Sequence, residues 1–214
     1  MVVATLGETR VPSSLPKILK DYTKAAIRTQ PRDLLTWSAA YFKAMTNGTI
    51  PPVKDRLEFP VPESKSGISP GVLRVLHRQL REEGEGVTWE ALQDACRGMG
   101  VAEETAQDAW QRAGGTDGAH VEWDFILTHI ADLSTHSVVE ALQLVMLAVT
   151  DDPITHRVSS SAVTEHYGRL HAGSNITPSP QYEEAVEYLH DIANYQDGYL
   201  VPSDLTRPSC PPLK

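Results

Sequence analysis

The stretch from Val11 to Met45, VPSSLPKILKDYTKAAIRTQPRDLLTWSAAYFKAM, constrains this chain more than any other. Its apolar residues recur at helical spacing in two blocks joined by almost nothing. In the first block Leu15, Ile18, Leu19, Tyr22, Ala25 and Ala26 fall three and four apart, along one face of a helix. Lys17, Lys20, Asp21, Lys24 and Arg28 lie on the other side. Ser13 or Ser14 can cap this helix, and Pro16 falls in its first turn, where a missing N–H costs little. Pro31 then restarts the chain at a first helical position, with Asp33 in the positive first turn. The second block carries Leu34, Leu35, Trp37, Ser38, Tyr41, Phe42 and Met45, and Gly48 is a good stop.

So short a connection makes the two helices antiparallel neighbours. A hairpin of roughly 35 residues is too small for a core of its own to suffice. Leu15, Ile18, Leu34, Trp37, Tyr41 and Phe42 therefore call for a second copy to cover them. The physical expectation is a dimer of hairpins, a small four-helix bundle.

The run V-P-x-x-L-P-x-I-L-K-x-Y-T-K-x-x-I-R-x-Q-P-x-D-L-x-x-W-x-x-x-Y-F resembles the dimerisation-and-docking (RIIa) domain of type II regulatory subunits of cyclic-AMP-dependent kinase. It is more similar still to the ropporin family and its relatives in ciliary radial spokes. The match includes Leu15, Leu19, Tyr22, Thr23, Arg28, Pro31, Asp33, Leu34, Tyr41 and Phe42. Nothing downstream resembles a cyclic-nucleotide-binding cassette, so kinase inhibition is not implied. The resemblance implies that both copies of the first helix build an apolar groove for one amphipathic helix of an A-kinase-anchoring-type scaffold protein. By position the groove residues are Val11, Leu15, Ile18, Leu19 and Thr23, with Lys20 near the rim. Tyr22, Ala26, Leu34, Trp37, Tyr41 and Phe42 are expected in the dimer core. The implied setting is cytoplasm and cytoskeleton, in the axoneme of a cilium or flagellum, with a radial-spoke stalk protein as anchor. The dimer partner is a second copy or a paralogue with a similar hairpin.

Beyond the hairpin, composition excludes more than it identifies. A formal net charge of −9, with the bases concentrated in the first helix and mixed with acids, argues against a nucleic-acid surface. Cys96 and Cys210 form no framework and no CxxC pair, which fits a reducing compartment. Met1 to Arg10 lacks the pattern of a secretory signal, and the most apolar run, Val138 to Val149, is too short for a membrane span and holds Glu140 and Gln143.

Residues 48–68 read as a linker, semi-rigid because Pro51, Pro52, Pro60 and Pro62 favour extended backbone. Residues 69–205 read as a helical domain with a faint repeat. A loop leads to a β-prone apolar residue, followed five residues later by an apolar helix residue. The pairs are Val87/Leu92, Val121/Ile126, Val158/Val163 and Leu200/Leu205, with starts 34, 37 and 42 residues apart. This plan resembles paired EF-hands whose short apolar positions bridge as a small sheet; a plain helical bundle is the alternative. If the apolar residue is the eighth loop position, the twelfth, where calcium needs a bidentate acid, is Ala91, Phe125, Ala162 or Asp204. Three of these cannot ligate, and in the fourth loop Ala193 holds the first position. The expectation is an all-α scaffold of degenerate EF-hand type without metal or cofactor. A calcium-responsive regulator is the alternative function.

Signals for catalysis are poor. There is no Gly-rich phosphate loop ending in Gly-Lys, no G-x-S-x-G and no H-E-x-x-H. His166 and His171, five apart, do not share a helix face, and His129 beside Ile130 reads as packing. Trp89, Trp110 and Trp123 read as core, Asp151-Asp152-Pro153 as a helix end, and Ser159-Ser160-Ser161 as a helix start. The tail from residue 206, RPSCPPLK after Thr206, is expected to be mobile or partner-bound. No catalytic residue is assigned, and the expected role is a non-enzymatic docking and assembly subunit.

Overall fold

Serine, threonine and aspartate side chains mark where the helices begin. Ser69 accepts from the Val72 N–H, Thr88 from Ala91 and Ser137 from Glu140, each satisfying a backbone donor that the first turn leaves open. The computed structural model describes residues 11–59, 68–81, 85–152, 154–172 and 180–213. Its helices are α1 Leu15–Thr29, α2 Leu34–Asn47, α3 Pro70–Leu80, α4 Trp89–Met99, α5 Glu103–Arg112, α6 Trp123–Ser134, α7 Val138–Val149, α8 Ser160–Ala172 and α9 Pro180–Asn194. Two short strands, β1 Val158–Ser159 and β2 Tyr199–Leu200, and a 3₁₀ turn at Pro202–Thr206 complete it. The all-α expectation holds.

The spaced apolar residues meet in pairs. Val87 and Val121 form an isolated antiparallel bridge, each N–H bonded to the other's carbonyl at 2.8 and 3.0 Å. Val158 pairs with Leu200 and Ser159 with Tyr199. Each bridge ties two helix–loop–helix units together, as in paired EF-hands. The first pair, with α7 across it, encloses a core that includes Leu73, Leu76, Leu92, Ile126, Leu127 and Ile130. The second encloses Leu142, Met146, Val163, Tyr167, Leu189 and Leu205. Helix α7 serves both cores, which is why it is apolar almost all round.

Trp110 and Trp123 are buried and Trp89 is half-buried against the first core, as read from their spacing. Asp152 caps the turn after α7, accepting from the N–H groups of Ile154 and Thr155. The apolar residues Val72, Leu73, Leu76 and Leu80 form the inner face of α3, which ends at Leu80.

Several local expectations are corrected. Asp33 is the N-cap of α2 rather than a first-turn residue. Its backbone is extended, and its Oδ1 accepts from the N–H groups of Leu35 and Thr36 at 2.9 and 3.1 Å. The chain turns at Gln30 with φ 51°, so Pro31 stays in the connection and α2 starts at Leu34. The tail is not free: Leu213 is buried in the second core, with Cys210 packed beside it. An apolar side chain among prolines is enough to dock a segment that cannot form a helix.

The largest correction concerns residues 48–59, which pack between the hairpin and the larger unit instead of spacing them apart. Asp55 pairs with Arg74 at 2.9 Å and with Arg78, whose Nη2 donates to the Val53 carbonyl at 2.8 Å. Arg74 continues to the Leu147 and Thr150 carbonyls at the C-terminus of α7, at 3.2 and 2.6 Å. Lys54 and Glu58 form a buried pair at 2.6 Å. Glu58 also accepts from Ser69 Oγ at 2.5 Å and from the Gly71 N–H at 2.7 Å, which places its charge at the positive end of α3. Burial by itself raises the Glu58 pKa, yet these donors together hold it below the usual carboxylate value.

Candidate docking site on the helical hairpin

Tyr22 on α1 and Ser38 on α2 lie eight residues either side of Gln30, and their hydroxyls bond at 2.7 Å. This symmetry about the turn sets the two helices antiparallel. Around the bond an aromatic group closes the hairpin. The Tyr22 ring lies 5.6 Å from Trp37, 5.6 Å from Tyr41 and 5.2 Å from Phe42, the last pair stacked. Trp37 and Tyr41 lie 5.3 Å apart. Such offsets add to the area the rings bury.

The segment after α2 seals this cluster. Trp37 is 1% exposed, and its indole Nε1 donates to the Pro52 carbonyl at 2.7 Å. Val53 packs on the same cluster, and the Lys54 N–H donates to the buried Thr29 hydroxyl at 3.2 Å. Burial pushes the Tyr41 hydroxyl pKa up, with Asp21 adding to the rise. Trp37 and Tyr41 are therefore enclosed within one chain, where the sequence suggested a surface between two. Local spacing reveals an apolar face, but not that a proline carbonyl fifteen residues on will cover it.

The other residues expected in a dimer core divide. Tyr22 and Ala26 are half-buried against the same cluster, whereas Leu34 and Phe42 remain exposed. Of the groove set, Val11 and Leu19 are exposed, Leu19 at 49%, while Leu15 and Ile18 are half-buried. Thr23 is exposed and turns its hydroxyl back onto the Leu19 carbonyl at 2.8 Å. Ile27, Leu35 and Met45 are also exposed, Leu35 at 82%. Their apolar character was visible in the sequence, but not that the chain leaves them open. Seven exposed apolar side chains on 35 residues is a concentration that water disfavours.

The opposite side of the hairpin is taken. Ala40 meets Gly98 so closely that a Cβ on the glycine would lie 3.1 Å from the alanine's. Lys43 pairs with Asp94 at 2.7 Å. Helix α2 is thus docked on α4, and Leu35 borders a cavity of about 860 Å³ that runs along this contact.

Residues 7–49 match the family model of the Ropporin N-terminal domain. The hairpin is similar to a ropporin N-terminal domain of RIIa type. Its matched span covers both helices and the connection at Gln30 to Asp33. The paired helix–loop–helix unit lies C-terminal to that span.

Among the described residues no three His, Cys, Asp or Glu side chains are placed to hold a metal ion. Asp204, the one acid at a twelfth loop position, is fully buried and already engaged. Its Oδ2 accepts from the Val201 N–H at 2.8 Å and from Gln196 Nε2 at 3.1 Å, and its Oδ1 lies 2.5 Å from Arg207 Nη2. Protein donors satisfy Oδ2 and the Arg207 cation pairs with Oδ1, so the carboxylate is held within the chain. The buried histidines are likewise structural. His77 Nδ1 accepts from Trp123 Nε1 at 2.9 Å, and His166 Nδ1 lies 2.7 Å from the Thr128 hydroxyl. Burial pushes both pKa values down to about 4, leaving neutral imidazoles. No described helix is long and apolar enough to cross a membrane.

Proposed function

We propose that this protein is a non-enzymatic docking and assembly subunit. Its ropporin-like hairpin pairs with a second hairpin and receives an amphipathic helix from a scaffold of the A-kinase-anchoring class. The observation that carries this reading is the open apolar set on a hairpin already closed by its own aromatic cluster. With Trp37 and Tyr41 satisfied inside the chain, Val11, Leu15, Ile18 and Leu19 are left for an outside partner, along with Leu34 and Phe42. In this reading α1 of each copy supplies one wall of the groove, while Leu34 and Phe42 join the copies. The docked residues 48–59 and the α2–α4 contact hold the hairpin at a set orientation on the larger unit. That unit then acts as a rigid body for further assembly. The likeness to ropporins supports a place in a ciliary or flagellar axoneme, with a radial-spoke stalk protein as the scaffold.

The test is direct. A labelled amphipathic helix of the A-kinase-anchoring type binds the full chain in fluorescence anisotropy. Leu15→Asp or Leu19→Asp abolishes binding by placing a charge in an apolar groove. Undiminished affinity in both variants, with the mass of the protein in solution unchanged, removes the assignment.

A further inference from the structure

Lys17, Lys20, Lys24 and Arg28 succeed one another at intervals of three, four and four residues, so they share one face of α1 over about 16 Å. One acid, Asp21, shares this side of the helix, four residues after Lys17 and three before Lys24, against four cations. All four cations are exposed, and none has an ion pair among the described residues. By contrast Lys43, Lys54, Arg74, Arg78, Arg81 and Arg97 all lie within 4 Å of an acid of the same chain. Beside the stripe, Asp21, Lys24, Ala25 and Arg28 with Tyr41, Pro51 and Val53 frame a depression of about 420 Å³.

Helix α9 carries the counterpart. Glu183, Glu187 and Asp191 recur at intervals of four, with Glu184 beside the first; all are exposed and none is in an ion pair among the described residues. Just past the C-terminus of α9, in the turn that follows, Tyr195 is 89% exposed. Within the chain no hydrogen bond or ion pair among the described residues joins α1 to α9.

We propose that the basic face of α1 docks on the acidic face of α9 of a second copy. The two helices run parallel, Lys17 to Glu183 or Glu184, Lys20 to Glu187 and Lys24 to Asp191, and Tyr195 enters the depression beside Arg28. The contact is heterologous: each copy offers a different face to each neighbour, so it propagates copies head to tail rather than closing a pair. Charge separation along the chain favours this partner. Residues 11–47 hold six Lys and Arg against two Asp, net +4, whereas residues 48–214 hold twelve against twenty-five acids, net −13. Helix α5 offers the stripe only Glu104 and Asp108 at this spacing, fewer acids and no exposed aromatic beyond them. Exposed ion pairs are weak, so the association is salt-dependent, unlike the apolar contact between hairpins.

Sedimentation velocity of the full chain tests this at about 0.05 M and about 0.5 M salt. The expected result is a species larger than a dimer at low salt, growing with protein concentration and lost at high salt. K17E/K24E and E183K/D191K each weaken the low-salt association about tenfold or more. Lys20, near the groove rim, is left unchanged. An equal mixture of the two variants restores the association, because the reversed α1 of one meets the reversed α9 of the other. Tyr195→Ala weakens it as well. Identical sedimentation at both salts overturns the proposal. So does loss on reversing α1 with none on reversing α9, which would assign the stripe to another acidic face of the chain. Loss of anchoring-helix binding in Leu19→Asp with the salt-dependent species intact separates this contact from the docking groove.

Discussion

The indole N–H of Trp37 ends on the carbonyl of Pro52, 2.7 Å away and out of reach of water. Through this bond the hairpin and residues 48–59 fold as one object. The aromatic cluster is thereby complete in a single chain, and only the outer apolar residues remain for partners.

Removing that indole is therefore costly. Trp37→Ala is expected to destabilise the chain by about 3–5 kcal/mol, from lost burial and the cavity left behind. Trp37→Phe retains most of the packing but leaves the Pro52 carbonyl unpaired, at about 1–3 kcal/mol. Chemical denaturation monitored by circular dichroism measures both; a loss below about 1 kcal/mol for the alanine variant is inconsistent with an enclosed Trp37.

The buried Lys54–Glu58 pair makes a second, separable case. Glu58→Gln leaves the Lys54 ammonium buried without its counter-charge, and a loss of about 3–5 kcal/mol is expected. The double replacement Lys54→Met with Glu58→Leu removes both charges and is expected to be milder than the single change. Equal losses would show that the packing of residues 48–59, rather than the charge, dominates.

How far the sequence reveals this architecture depends on the range of the interaction. The bridges of Val87 with Val121 and of Val158 with Leu200 were legible because a β-prone residue trailed five positions later by a helix residue is a local pattern. The packing of residues 48–59 was not legible. Proline-rich composition reads as a spacer, and nothing local announces that Asp55 will meet Arg74 and Arg78 or that Pro52 will receive Trp37. Leu213 was missed for the same reason. In the hairpin, the apolar face was evident from spacing, but its division between self-closure and open surface depends on a segment beyond the helices. The basic side of α1 was legible from spacing, but not that its four cations would have no ion pair among the described residues.

Acid should weaken the fold through its buried histidines. His77 and His166 titrate at about 4 in the folded chain, against 6.5 when unfolded. Between these values the unfolded state binds more protons, so stability is present above pH 6.5 and is lost as pH falls toward 4. Each histidine withdraws up to about 1.4 kcal/mol per pH unit in that window. Denaturation midpoints from pH 7 to 4.5 should fall accordingly, and a flat profile contradicts the burial assigned to these imidazoles. Below this range Glu58, held under its ordinary pKa, adds a loss of the same sign.

Calcium is expected to do nothing. With Asp204 bound to Val201, Gln196 and Arg207, and with Ala91, Phe125 and Ala162 at the other twelfth positions, about 1 mM calcium should leave Tm unchanged. Asp204→Ala should lower stability by about 1–3 kcal/mol, since it orphans the Val201 N–H. Calorimetric calcium uptake abolished by Asp204→Ala would reverse this reading of the loops.

The central claim is that two copies of α1 build one groove for one helix. Isothermal titration of the full chain with an amphipathic helix of the A-kinase-anchoring type, alongside light scattering for the mass of the protein, tests it most directly. The account predicts one helix bound for every two chains, with the protein a dimer before and after binding. One helix for each chain, or no binding by an intact dimer, would contradict it.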